Sequence, residues 1–323
     1  MRLLCIGEAM AELRPEGDSF AVGYAGDTFN TAVYCRRLMP AGGSVGYMTH
    51  VGRDPLSDRF LDLARSEDID TSRIRRDTAR NIGIYTVSTD DVGERSFHYW
   101  RGDSAARQLF VDPDSRGALE GAEILYLSAI TLAILSPAAR ETLFGGLVAQ
   151  RAKGAKLAFD SNYRPRLWDD LATAQHWVRR LWSVTDIALP SLDDEQALFG
   201  DPDAAAVAAR LYGWGCRIGS VKCGMLGPLP IDAAMAEMQP FPAAPHVVDT
   251  TAAGDSFNGG YLAALLLKRD ERVAMHWGHM IARAVVGQRG AIVRDLPDLA
   301  GVGFSPAAPL PGAGPGPGNE GRG

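Results

Sequence analysis

Short apolar runs alternate with amphipathic helical segments along most of the chain, and this alternation constrains the fold more than any other feature. Apolar runs of strand length fall at residues 3–6, 44–48, 124–128, 156–160, 187–189 and 218–222. Helical patterns occupy 28–38, 55–66, 137–153, 171–183, 192–199, 204–212, 256–267 and 271–288. Strands that are apolar throughout need cover on both faces, which an antiparallel sheet open to water does not give them. The pattern therefore predicts an α/β fold, a three-layer α/β/α sandwich on a mainly parallel central sheet.

Two stretches break the rhythm. Residues 12–24 are short and contain Pro and Gly. Residues 81–101 alternate, with Ile82, Ile84, Thr86 and Ser88 on one side of Asp90-Asp91-Val92-Gly93 and Phe97, Tyr99 and Arg101 on the other. That reads as a hairpin outside the main sheet. Segments near 9–25 and 81–104 are expected to form a small β-sheet lid over the mouth of the α/β body, excluding water from a reaction that water would spoil. Exposed strand edges on such a lid would favour a homo-oligomer joined through it.

The chain has 323 residues and a net charge of −6, with 46% apolar and 22% charged residues. These values suit a globular protein and argue against non-specific nucleic-acid binding. Cys5, Cys35, Cys216 and Cys223 lack metal-site spacing, and the expected setting is reducing and cytoplasmic. Acidic residues come too early for a signal peptide, and no apolar run reaches the roughly 20 residues of a membrane helix. Residues 305–323, rich in Pro and Gly, are expected to be a disordered tail.

In open α/β sheets, ligands sit beyond the carboxyl ends of the strands, and polar clusters fall there. The densest is Asp249-Thr250-Thr251-Ala252-Ala253-Gly254-Asp255-Ser256, at the threshold of an apolar helix. A helix start offers unpaired N–H groups and partial positive charge, and so attracts phosphate. A carboxylate in the same turn can take a proton from a nucleophile aimed at that phosphate. The competing reading is that Asp255 or Ser256 simply caps the helix.

Other clusters carry similar pairs of readings. Gly26 lets backbone approach a ligand closely, and Asp27 and Asn30 suit sugar hydroxyls, although Asp27 or Thr28 would equally serve as a cap. Arg164, in Asn162-Tyr163-Arg164-Pro165, can grip a carboxylate with its planar fork or lie in a surface ion pair. Tyr99 and Arg101 share one strand face, with His98 pointing away, and Tyr85 can join them from the paired strand. Two arginines on one pocket would suggest an acidic substrate. Ser191 and Glu195 begin a helix, where Glu195 can order water around Mg²⁺ or only complement the helix dipole. Lys222 and Gly224 start a loop that suits phosphate or is a plain surface turn. His279 reads as a packed helix residue. There is no GxxxxGK[ST] loop, no protein-kinase motif set and no GxGxxG after the first strand.

Together these motifs resemble the ribokinase-like (PfkB) carbohydrate kinases, over nearly the whole chain to about residue 299. The strongest element is the segment from Asp249 to Asp255, which looks like the family's C-terminal signature with Ala252 where the family normally has Gly. Within the family the match points to kinases of 2-dehydro-3-deoxygluconate (KDG), through Gly26-Asp27-Thr28-Phe29-Asn30, Tyr99-Trp100-Arg101 and Asn162-Tyr163-Arg164-Pro165-Arg166-Leu167-Trp168. The resemblance implies a ribokinase-like kinase domain over 1–304 that uses ATP and Mg²⁺ on a small sugar acid. It implies Asp255 as base and an anion hole from Ala252, Ala253 and Gly254. Gly26, Tyr85, Tyr99, Arg101 and Arg164 would hold the keto acid, joined by Asp27 and Asn30. Asn162, Ser191, Lys222, Gly224, Gly227 and the position of His279 would line the nucleotide site. Residues 228–245 read as a shortened version of the strand pair expected there. A kinase for another sugar, or a non-catalytic sugar or nucleotide sensor, are the other readings.

Overall fold

The computed structural model describes residues 2–89, 95–235 and 241–297, and the expected tail at 305–323 lies outside them. In chain order the strands are β1 (Leu3–Ile6), β2 (Met10–Glu16), β3 (Ser19–Ala25), β4 (Val45–Val51), β5 (Ile69–Asp70), β6 (Ile74–Arg76), β7 (Gly83–Thr89), β8 (Arg95–Trp100), β9 (Ile124–Ser128), β10 (Lys156–Asp160), β11 (Ile187–Ala188), β12 (Ile218–Lys222) and β13 (Pro228–Pro230). The α-helices are α1 (Asp27–Leu38), α2 (Pro55–Ser66), α3 (Ala129–Ile134), α4 (Pro137–Ala152), α5 (Leu171–Trp182), α6 (Leu192–Phe199), α7 (Ala204–Gly213), α8 (Ala253–Leu266) and α9 (Glu271–Val285).

The main sheet runs β13-β12-β11-β10-β9-β1-β4-β5, with β6 also on β4. Its pairs are parallel except β12 with β13. Alternate residues of each strand feed two separate cores. Leu3 and Cys5 of β1 face α1, α2, α8 and α9. Leu4 and Ile6 face the opposite layer, which holds α3, α4, α5 and α7. This period of two on a strand buried on both sides produces the unbroken apolar runs in the sequence. The three-layer α/β/α sandwich is thus observed.

A second sheet, β3-β2-β7-β8, stands apart as the lid. It joins two distant segments through the parallel pair β2–β7. Tyr85 and Tyr99 are direct partners across β7 and β8, and their rings lie 5.8 Å apart. His98 and Trp100 fall on the other face by alternation.

Several elements depart from the sequence pattern, among them the short strands β5 and β6. Helix α3 follows β9 directly, its N-terminus capped by Ser128 Oγ, which accepts from Ile130 N at 3.2 Å; six residues are too few to show helical periodicity. The strand expected at 44–48 continues to Val51. Helix α8 begins at Ala253 rather than Ser256, which bears directly on Asp255. Among the described residues no helix is long and apolar enough to cross a membrane.

Candidate active site

The parallel strands deliver their polar C-terminal residues to one rim. Ser128 ends β9, Asp160 ends β10 and Lys222 ends β12. Helices α1 and α8 point their N-termini at the same rim, side by side. Across this junction Asn30 Nδ2 donates to Asp255 Oδ2 at 2.8 Å, and Thr31 Oγ1 donates to the Asp255 carbonyl at 3.1 Å. Lys222 Nζ donates to Asp160 Oδ2 at 2.6 Å and to Asn258 Oδ1 at 3.2 Å. A Cβ at Gly254 would lie 3.6 Å from Lys222 Nζ. The ammonium therefore lies next to the mouth of α8.

Asp255 does not cap its helix. The N-cap is Ala252, with no side-chain cap hydrogen bond, and Asp255 is the third helical residue. Ser256 Oγ donates to the Ala253 carbonyl instead. The Asp255 carboxylate is therefore available to the rim, oriented by Asn30. Burial pushes its pKa up to about 7, and the carboxylates of Asp27 and Asp160 add to the rise against the pull of Asn30 and Lys222. A carboxylate poised near neutral pH is suited to general-base work. Of the three expected anion-hole amides, that of Ala253 also donates to the Thr250 carbonyl at 3.2 Å. Ala252 itself is left-handed, at φ 61°, a conformation that glycine adopts freely and alanine does not.

On the expected sugar side, Asp27 Oδ2 accepts from Asn162 Nδ2 at 2.8 Å and from Ser128 Oγ. Asn162, expected at the nucleotide, thus has its amide on Asp27. Gly26 is needed for a different reason from the one its sequence position suggests. A Cβ there would fall 2.2 Å from the Glu8 carbonyl oxygen, so the close approach is chain to chain. Tyr85 is buried, and Tyr99 is half exposed with the Arg101 guanidinium 5.8 Å from its ring centre. Each expected arginine already has an acid beside it. Arg101 pairs with Glu8, and Arg164 Nη1 lies 3.5 Å from Asp194 Oδ1 while donating to the Tyr163 carbonyl at 2.8 Å.

On the expected nucleotide side, Ser191 forms a bridge to Lys222, and its N–H reaches Ser161 Oγ at 3.3 Å. Its side chain makes no cap bond to α6. Gly224 is exposed and Gly227 buried, both left-handed at φ 55° and 80°, and Met225 and Leu226 between them are 85% exposed. His279 is held by the 241–243 loop: Nε2 lies 2.7 Å from the Pro242 carbonyl, and the ring centre 5.0 Å from that of Phe241. Of the segment 228–245, β13 pairs antiparallel with β12, while 236–240 lie outside the described residues.

Glu195 is enclosed by protein. Its side chain is fully buried and paired with Arg210 at 2.8 Å, itself paired with Asp201, and burial pushes its pKa up to about 7. One residue earlier on α6, Asp194 turns the other way. Burial and the neighbouring Asp160 carboxylate push it up to about 6, against Arg164 and Lys222. A helix rotates about 100° per residue, so adjacent acids face different surroundings, and sequence spacing alone does not separate them. Two carboxylates this close, that of Asp194 raised partly by Asp160, fit a hard divalent cation that keeps most of its water. Among the described residues no group of three or more His, Cys, Asp or Glu side chains could hold a metal on its own.

Four residues of the site receive no role from the sequence alone: Glu8, Asp160, Asp194 and Asn258. Asp160 carried a signal, being the acid that closes a buried strand. So did Asn258, a polar residue within an apolar helix, whose Nδ2 donates to Asp160 Oδ2 at 2.6 Å and to Tyr126 Oη at 2.9 Å.

The family model "pfkB family carbohydrate kinase" matches residues 2–299. The chain belongs to the pfkB family. As a carbohydrate kinase of this family, it is 41% identical over 300 residues to the 2-dehydro-3-deoxygluconokinase of Escherichia coli (strain K12), covering 90% of this chain and 97% of that protein. It is 39% identical over 301 residues to the 2-dehydro-3-deoxygluconokinase of Dickeya dadantii (strain 3937), covering 89% and 95%. Among solved structures, aminoimidazole riboside kinase from Salmonella enterica complexed with aminoimidazole riboside and an ATP analog superposes with a TM-score of 0.77 at 26% identity, covering 90% of this kinase and 95% of that chain.

Proposed function

We propose that this kinase transfers the γ-phosphoryl group of ATP to the primary hydroxyl of 2-dehydro-3-deoxygluconate, giving the 6-phosphate. The observation that carries the reading is Asp255: a carboxylate raised to about 7 by burial and by its acidic neighbours, oriented by Asn30 at 2.8 Å at the mouth of α8. It accepts the hydroxyl proton as the oxygen attacks. The amides at the start of α8 and the Lys222 ammonium face the charge that develops on the transferring group. Mg²⁺, held through Asp160 and Asp194 and otherwise by water and phosphate oxygens, would supply further charge neutralisation. Asn30 and Asp27 suit the sugar's hydroxyl groups, and Arg101 and Arg164 its carboxylate. The identity of the acid is supported by the relatives of 41% and 39% identity.

A second reading, a kinase of a neutral sugar, is favoured by one observation: both arginines already face carboxylates, Glu8 and Asp194. An ADP-release assay over sugars and sugar acids separates the two. The acid should give the highest kcat/KM; a neutral sugar in that place would overturn the assignment. Asp255→Asn should lower kcat by at least about 10² with sugar binding largely kept, since general-base terms run to roughly 10²–10⁴. Turnover near that of the parent would remove Asp255 from its role.

A further inference from the structure

Every crossing between lid and body meets at one point. The chain rises into the lid after Glu8, returns at Gly26, rises again at Gly83 and returns at Arg101. Glu8, with a side chain 1% exposed, lies among all four. A Cβ at Gly83 would fall 2.8 Å from Glu8 Oε1 and 3.4 Å from Arg101 Cβ, and one at Gly26 would meet the Glu8 carbonyl. The two glycines therefore leave the room that Glu8 occupies. The guanidinium of Arg101, its side chain 11% exposed, is the ion-pair partner of Glu8. Beside this pair, Glu8 Oε1 and Arg101 Nε have no hydrogen-bond partner. The guanidinium thus meets Glu8 through Nη2 and keeps Nε without a protein partner.

A buried cation stays beside its counter-ion because leaving would uncover both charges. We propose that Glu8 is a positioning residue that fixes Arg101 at the lid's hinge so that the guanidinium can receive the substrate carboxylate, resting on the reading above that Arg101 meets that group. A guanidinium presents more than one donor edge, so one can remain on Glu8 while another takes the ligand. Because Glu8 belongs to the junction from which the lid rises, recognition of the acid and the placement of the lid depend on the same pair.

The test is a double-mutant cycle with steady-state kinetics on 2-dehydro-3-deoxygluconate. Glu8→Gln should raise the sugar KM at least about tenfold while the KM for ATP stays within about twofold, and in an Arg101→Ala background the same change should move the sugar KM less than about twofold. Glu8→Asp keeps the charge but shortens the reach, and should raise the sugar KM by roughly threefold on the same logic; it carries the test if the Gln variant does not fold. Equal effects of Glu8→Gln in both backgrounds, or equal effects on both substrates, would reduce Glu8 to a structural residue and overturn the proposal. The two readings fail separately. If Arg101→Ala leaves the sugar KM unchanged, the carboxylate clamp is wrong and positioning falls with it. If Arg101→Ala raises it and Glu8→Gln does not, only positioning falls.

Discussion

Ala252 is the residue at which sequence and backbone disagree. It stands at φ 61°, ψ 16°, in the left-handed region, which costs an L-residue roughly 1–2 kcal/mol. Glycine removes that strain but gives back roughly 0.5–1 kcal/mol in chain entropy. Ala252→Gly should therefore stabilise the protein, by up to about 1.5 kcal/mol on these terms, without loss of kcat because the amide is unchanged. Urea midpoints of the two proteins check this; a lower midpoint for the glycine variant would show that the Ala252 methyl contributes packing that outweighs the strain. The methyl does pack beside a small cluster that includes Tyr85 and Ala291, which is the term that would oppose the gain.

At the scale of the element, α6 separates two acids that sequence leaves adjacent. Asp194→Asn should raise the Mg²⁺ concentration needed for half-maximal rate, because Asp194 faces Asp160. Glu195→Gln should leave the Mg²⁺ requirement unchanged and lower thermal stability, because it breaks a buried ion pair, a change that can cost about 3–5 kcal/mol. Mg²⁺ titrations and melting curves of both variants decide it, and the reverse pattern would put Glu195 back at the metal. The same helix shows what a sequence can convey. The alternation of apolar strands and amphipathic helices made the sandwich legible, since each strand must be apolar on both faces to sit between two helical layers. The signature at Asp249 to Asp255 marked the proposed base and the mouth of α8. The facing of neighbours was not legible: the side to which Asp194 turns, the acid that pairs with each arginine, and the start of α8 all follow from tertiary packing. Asn258 and Asp160 were visible as polar residues in apolar settings, but their link to Lys222 joins three separate elements.

For the whole molecule, the acid cluster at the rim makes stability depend on pH. An aspartate ordinarily ionises near 3.8, and Asp255 in the folded protein near 7. Between these values the folded state holds a proton that the unfolded chain has released, so folding is progressively penalised as pH rises through this window and carries the full penalty above about 7. Asp255→Asn lacks this penalty. Its melting temperature should exceed the parent's most at pH 8, with the gap shrinking toward pH 4; a gap that does not change with pH would mean that Asp255 is not the titrating group. The lid has a further consequence, in time rather than in energy. Its inner pair joins residues 10–13 of β2 to residues 83–86 of β7 in parallel. Residues 13–16 of β2 are half-buried or exposed, whereas β1 and β9 are buried throughout, and elements with fewer buried contacts open first. Amide hydrogens of β2 and β7 should therefore exchange with solvent before those of β1, β9 and β10, and in refolding they should be the last to gain protection, so that the α/β body exists for a time as a kinase without its cover.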